Sequence, residues 1–409
     1  MDVNLIELPN GLRIVHRYVP YTRLVHCGYI IDTGSRDDPE SRAGMAHFIE
    51  HMAFKGTRKR KTFHVINYLE SVGGDVNAYT TKEKTCFYVS MLAEYFDRAT
   101  ELLTDITFDS VFPDKEIIKE KQVISEEIDM YRDTPDEAIL EDFDLMVYPD
   151  HSLGHPILGT RDSISQFTRD EIMGHIRESY AQGQVVFGVV GNVSRQALDL
   201  VIRKYLAPLQ LPAARVRRTP PATPAIQDQV VEIATDQAHE ILGGRAYAAR
   251  KGHFAAFGLL TNLLGGPAMN SRLNMNVREK YGLTYNIHAF YQPFTDTGMW
   301  GIYYACDTDN IARIRKLVHK ELKQLCEMPL GPIHLSQAKK QLIGQLTLSH
   351  ESLLSQMLNM SKEVLDFDHM LPFEQYIAEI EAIEAKDIQA AAQEIFESSP
   401  ISTITYRPT

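Results

Sequence analysis

Cysteine is scarce in this sequence: four among 409 residues, at Cys27, Cys86, Cys306 and Cys326, with no C-x-x-C pair. That excludes a disulfide scaffold and a zinc ribbon, and it predicts buried free thiols in a reducing compartment. No run of eighteen apolar residues occurs, so no helical membrane span is expected. The opening MDVNLIELPNGLRIVHRYVP lacks a basic stretch followed by an apolar one and goes directly into strand-turn-strand chemistry around Asn10 and Gly11. The expectation is a chain without an export signal, placed in the cytoplasm. Basic residues are outnumbered, 42 Lys and Arg against 54 Asp and Glu, for a net charge of −12. This argues against nucleic acid or an anionic membrane as the main partner and leaves neutral or basic peptides as the favoured ligands.

What the chain does have is enough apolar residue, 44% of its length, to bury two ordinary cores. It also has the pentad His47-Phe48-Ile49-Glu50-His51, which reads H-x-x-E-H, the inverted zincin pattern. Positions 47 and 51 are one helical turn apart, so both imidazoles can reach a single Zn²⁺. Glu50 shares that face and can take a proton from a water held there. Two histidines alone do not make a metal site, and a pair of surface or core histidines is the alternative.

A second segment supplies further ligands. PDKEIIKEKQVISEEIDMY, from Pro113 to Tyr131, reads as a helix with Pro and Asp at its start and apolar residues at 117, 118, 123, 124 and 128. Glu120 and Glu127 fall on one stripe with Val123 and Ile124. The opposite stripe of Lys115, Lys119, Gln122, Glu126 and Asp129 is polar throughout and is expected to face water. Glu127, rather than Glu126, therefore points inward, where a metal is the strongest partner to offset the desolvation of its carboxylate. Glu127 is the expected third zinc ligand, and Glu120 is expected behind it, holding a ligand histidine in its tautomer. The alternative is a pair of helix-face salt bridges to lysine.

These residues resemble the pitrilysin/insulinase family of metallopeptidases, in particular its half-length branch of mitochondrial processing peptidase and bacterial relatives. The resemblance covers nearly the whole chain and rests on H-x-x-E-H followed about 75 residues later by a glutamate. It implies that His47, His51 and Glu127 bind one zinc per subunit and that Glu50 is the general base. It also implies that Asn77 and Ala78, in the stretch Gly73-Gly74-Asp75-Val76-Asn77-Ala78-Tyr79-Thr80, lie on an edge strand that pairs with an extended peptide. Further along, Arg278 and Tyr285 match the family's substrate-clamping pair. Arg278 would bind a peptide carbonyl, and Tyr285 would help stabilise the oxyanion. Tyr281 and Thr284 stand where relatives often have arginine and alanine. His151 and His155 lie in a loop rich in Pro and Gly and are not expected to bind metal.

The organisation follows the same lines. Pro208 to Gln229 holds five prolines and little periodicity, and reads as an extended tether. It separates an N-terminal zinc-binding domain, 1–210, from a C-terminal domain, 229–409, with 211–228 as linker. NAYTTKEKTCFYVSML and YNIHAFYQPFTDTGMWGIYYAC each read as a hairpin followed by an amphipathic helix. The expected fold is α+β, two similar domains, each a mainly antiparallel sheet with helices packed on one face. The implied activity is that of a zinc endopeptidase on extended peptides or unfolded segments. Its alternative is a non-catalytic or heterodimer-forming subunit used for peptide binding or assembly. Full-length relatives place two such halves in one chain, which implies here a homodimer whose active site is completed by the partner subunit.

Overall fold

The computed structural model describes residues 3–182, 184–211, 218–223 and 225–409. It divides into two compact units, each made of discontinuous pieces. The first comprises Met1–Asp129, His155–Arg218 and Leu348–Met370; the second comprises Met130–Gly154, Thr219–Thr347 and Leu371–Thr409.

The chain begins with β1 (Val3–Glu7), β2 (Arg13–Tyr18) and β3 (Leu24–Ile31), then α1 (Met45–Ala53) and α2 (Thr62–Glu70). There follow β4 (Asp75–Thr80), β5 (Thr85–Leu92), α3 (Phe96–Phe108), α4 (Asp114–Arg132) and α5 (Pro135–Val147). Helices α6 (Arg161–Gln166) and α7 (Arg169–Gln182) lead to β6 (Val185–Gly191) and α8 (Arg195–Val201). Beyond the tether come β7 (Asp228–Ile233), β8 (Ala238–Ala246), α9 (Phe254–Gly265), β9 (Asn286–Pro293) and β10 (Gly298–Cys306). The last elements are α10 (Ile311–Glu327), α11 (Pro332–His350), α12 (Leu353–Phe367), α13 (Phe373–Ala382), α14 (Ala385–Ala392) and β11 (Ile401–Pro408).

The first sheet runs β1-β2-β6-β3-β5-β4 and the second β7-β11-β8-β10-β9. In each, one parallel pair (β2 with β6, β7 with β11) is followed by antiparallel pairs out to the edge strands β4 and β9. Strand order and direction therefore repeat, with β1 as an addition to the first unit. The α+β class with two similar, mainly antiparallel domains holds.

Alternation along the strands explains the layers. In the first sheet Tyr29, Phe87, Val89 and Phe187 turn toward a core shared with Leu102, Leu103 and Ile106 of α3. Their neighbours Ile30, Cys86, Val186 and Val190 turn to the other face, where Met357, Val364 and Leu365 of α12 cover them. In the second sheet Leu242, Trp300, Ile302 and Tyr304 meet α9 and α10, while Ile241, Met299, Tyr303 and Ile404 meet Ile139 and Phe143 of α5. Each sheet thus has its main helical layer on one face and a single helix on the other.

That single helix is why the units depart from the boundaries 1–210 and 229–409. Helix α5 precedes the tether yet packs in the second unit, and α12 follows it yet packs in the first. A strand buried on both faces needs a second cover, and here it comes from a distant part of the chain. The tether is also more anchored than its composition suggests, although 212–217 and 224 lie outside the described residues. The Arg218 guanidinium, largely buried, is held by Asp32 at 2.9 Å and Asp37 at 2.8 Å. Farther along, the Pro221 carbonyl accepts from Arg245 at 3.2 Å. All four cysteines are free and buried, and among the described residues no helix is long and apolar enough to cross a membrane.

Candidate metal centre

Helix α1 starts where the chain turns at Gly44, whose φ of +90° is costly for any residue with a side chain. The buried carboxylate of Asp38 accepts hydrogen bonds from the backbone N–H of Gly44 at 3.1 Å and of Ala46 at 3.2 Å, satisfying donors that the first turn leaves open. Met45, Phe48, Ile49 and Met52 bury one side of α1 against Ile117 and Ile124 of α4 and against Phe167 and Ile172. His47 and His51 are carried side by side, their ring centroids 4.6 Å apart.

Helix α4 buries Ile117, Glu120 and Ile124, with Glu127 half-buried and Glu126 exposed. The periodic reading of its inner stripe is correct for the glutamates but not for every apolar residue: Val123 is exposed, as is Ile118 at 70%. The packed stripe is narrower than the sequence suggests: Ile117 and Ile124 join the core formed with α1, Ile164, Phe167 and Ile172, and Ile118 and Val123 fall outside it.

The two helices bring three ligand atoms together. Glu127 Oε2 lies 3.6 Å from His51 Nε2 and 4.0 Å from His47 Nε2, and the ligand atoms of the three residues all fall within 4.8 Å of one another. Zinc bonds of roughly 2.0–2.1 Å in a tetrahedron place ligand atoms about 3.3 Å apart. The donor set of two imidazoles and a carboxylate therefore fits a zinc ion after small side-chain rotations. It is the one such group among the described residues.

Glu120 bridges His51 and Lys55. Its Oε1 is 2.9 Å from His51 Nδ1, which leaves Nε2 of that ring facing Glu127, and its Oε2 is 2.7 Å from the Lys55 ammonium. Burial would push the Glu120 carboxyl up, but the bonds to His51 and Lys55 hold it below the usual carboxylate range. Burial would lower His51; the Glu120 hydrogen bond and the charges of Glu127 and Glu50 outweigh it and raise the ring. His47 is pushed down to about 3, by burial first and by His51 second, so its imidazole is neutral and ready to ligate. Glu50 is raised by burial, against which a hydrogen bond works: Thr80 Oγ1 donates to Glu50 Oε2 at 2.6 Å.

Asn77 and Ala78 lie on β4, at the open edge of the first sheet, and Ala78 faces the same side as Thr80. Arg278 and Tyr285 belong to the second unit. Arg278 lies in a π-helical turn, Asn274–Glu279, and Gly282 ends that helix with φ +62°. Tyr285 is 88% exposed. His151 bonds the Thr219 carbonyl at 3.0 Å, and neither it nor His155 joins the metal group.

Two residues escaped the sequence reading. Lys55 lies in the turn just after α1, and nothing local pairs it with Glu120, 65 residues later. Thr80 shares the inward parity of Ala78 on a strand already singled out, but nothing local says that it meets a helix thirty residues earlier.

Known proteins resemble this chain over nearly its whole length. Residues 13–161 match the family model described as Insulinase (Peptidase family M16), and residues 166–342 match the one described as Peptidase M16 inactive domain. The chain is 33% identical to the uncharacterized zinc protease YmxG of Bacillus subtilis, over 95% of this chain and 94% of that protein. It is 31% identical to an uncharacterized zinc protease of Rickettsia felis, over 98% and 97%. Among solved structures it is similar to a peptidase M16 inactive domain from Pseudomonas fluorescens, with a TM-score of 0.91 at 20% identity over 100% and 98% of the two chains. A protease from Helicobacter pylori superposes with a TM-score of 0.89, also at 20% identity, over the whole of both chains. At that identity these two structures speak for the fold alone.

Proposed function

This chain belongs to the insulinase family, peptidase family M16, and on that premise we propose that it is a zinc-dependent endopeptidase acting on extended peptides or unfolded segments. The observation that carries the reading is the convergence of His47, His51 and Glu127 next to Glu50. Those three side chains would hold one zinc per subunit. When bound, the metal polarises a carbonyl oxygen and makes water more acidic at neutral pH. Glu50 accepts a proton from the attacking water and returns it to the leaving amine, and burial moves its carboxyl toward the range where it can do both. Glu120 keeps His51 oriented.

The peptide would add as a strand along β4 beside Asn77 and Ala78, a mode that selects extended backbone more than particular side chains. Arg278 would bind a peptide carbonyl and Tyr285 the developing oxyanion, both supplied by the partner subunit of a homodimer. The exposure of Tyr285 supports this, because its phenol is open to a second chain.

In the Glu50→Gln protein, hydrolysis of an unfolded peptide library should fall by roughly two to four orders of magnitude with zinc still near one per chain. Full activity there would sink the mechanism. A zinc-loaded wild type that cleaves nothing would favour the non-catalytic subunit instead. Co-expressed Glu50→Gln and Arg278→Ala chains should regain activity through one intact shared site; mixed dimers as inactive as either parent would end the partner-completed arrangement.

A further inference from the structure

We propose that Thr80 is a positioning residue for Glu50, its hydroxyl holding the carboxylate from the strand that receives the peptide; the inference rests on the reading of Glu50 as the general base. Three observations carry it. Among the described residues Thr80 is the one side chain that hydrogen-bonds Glu50, and the contact is short, 2.6 Å from Oγ1 to Oε2. Glutamate has three rotatable bonds, so a single strong donor decides where the carboxylate sits. The donor is also neutral. An ammonium or guanidinium there would stabilise the carboxylate and weaken it as a base, whereas a hydroxyl orients it at small cost in basicity.

The third observation is placement. Thr80 closes β4 two residues after Ala78, on the same face, and β4 has a neighbour on one side only. Docking of a peptide on the free side of β4 would pair that edge and stiffen the strand. Through Thr80 the stiffening reaches Glu50, so the base is best ordered when substrate is in place. The threonine proton stays on the threonine throughout, and no proton is relayed through it.

Thr80→Val keeps the shape and removes the donor, while Thr80→Ser keeps the donor and removes a methyl. Both are compared with wild type and with Glu50→Gln on a quenched fluorescent peptide. In Thr80→Val, kcat should fall about 10- to 100-fold, as for a reacting group misplaced by an ångström or less. KM, zinc content and thermal midpoint should stay within about twofold or a few degrees of wild type. Thr80→Ser should recover most of kcat. Crystals of the zinc-free proteins give a readout independent of turnover: one Glu50 rotamer in wild type and Thr80→Ser, more than one in Thr80→Val. The inference is overturned if Thr80→Val retains full kcat, if serine fails to rescue, if the loss follows zinc or KM, or if the rotamer is unchanged. An active Glu50→Gln protein would instead remove the general-base reading itself.

Discussion

Ala78 on β4 and Ala289 on β9 occupy matching places: each lies on the edge strand of a sheet of the same order, and each packs toward the main helical layer. Two residues farther on, the units diverge. Thr80 meets the carboxylate of Glu50, whereas Tyr291 packs its ring against Phe257, centroids 5.0 Å apart, and against Phe254 at 5.9 Å. The helix beside the first edge carries histidines and a glutamate; the helix beside the second, FAAFGLLTNLLG, carries almost nothing polar. Sheet interiors invert the pattern. Cys27 lies between Val89 and Val189, all apolar, while the equivalent Glu240 lies between Tyr304 and Thr405, fully buried, and accepts from both as well as from Arg315. One scaffold thus carries two arrangements, a group of histidines and carboxylates beside one edge strand and a satisfied charge in a closed core.

The largest expected effect tests whether the metal belongs to the first unit alone. His47→Ala, His51→Ala and Glu127→Gln should each strip most of the zinc and lower hydrolysis by about a thousandfold or more, whereas Glu126→Gln and the second-unit change His288→Ala should leave zinc, measured by mass spectrometry of metals, at one per chain. Zinc loss from His288→Ala would break the comparison. Next is Arg315→Met, which leaves the buried Glu240 carboxylate without its cation. Breaking such pairs costs about 3–5 kcal/mol; Arg315 is 32% exposed, so a loss of about 2–3 kcal/mol in denaturant titration is expected, with kcat of the folded protein unchanged. A drop in kcat without a drop in stability would show that this charge is not merely structural.

Lys55→Met should act more mildly and on the metal. With one donor to Glu120 gone, His51 is held less firmly, and zinc affinity in a chelator competition should weaken about tenfold. Unchanged affinity would mean that Glu120 needs no second partner. Smallest is Gly265→Ala: the added Cβ would lie 2.5 Å from the backbone nitrogen of Ala289, where α9 closes on β9, and a net loss of about 1 kcal/mol is expected against the helical gain of alanine. A stabilised variant would show that the second edge is looser than its packing implies.

Much of this protein could be read along its chain because the signals are local. The pentad at 47–51 needs only helical periodicity to set two imidazoles on one face, and the polarity of the opposite stripe distinguishes Glu127 from Glu126. The repeated hairpin-and-helix pattern likewise shows two similar α+β halves, since strands and amphipathic helices announce themselves by period. Tertiary structure decided what depends on distant residues meeting. Periodicity states that a face is apolar without saying what covers it, so it could not place α5 and α12 on the back of sheets far away in sequence, nor expose Val123 on α4. The same limit hid Lys55 behind Glu120 and Thr80 in front of Glu50. Their partners are 65 and 30 residues away, and a hydrogen bond requires the folded approach of two chain segments that no local pattern encodes.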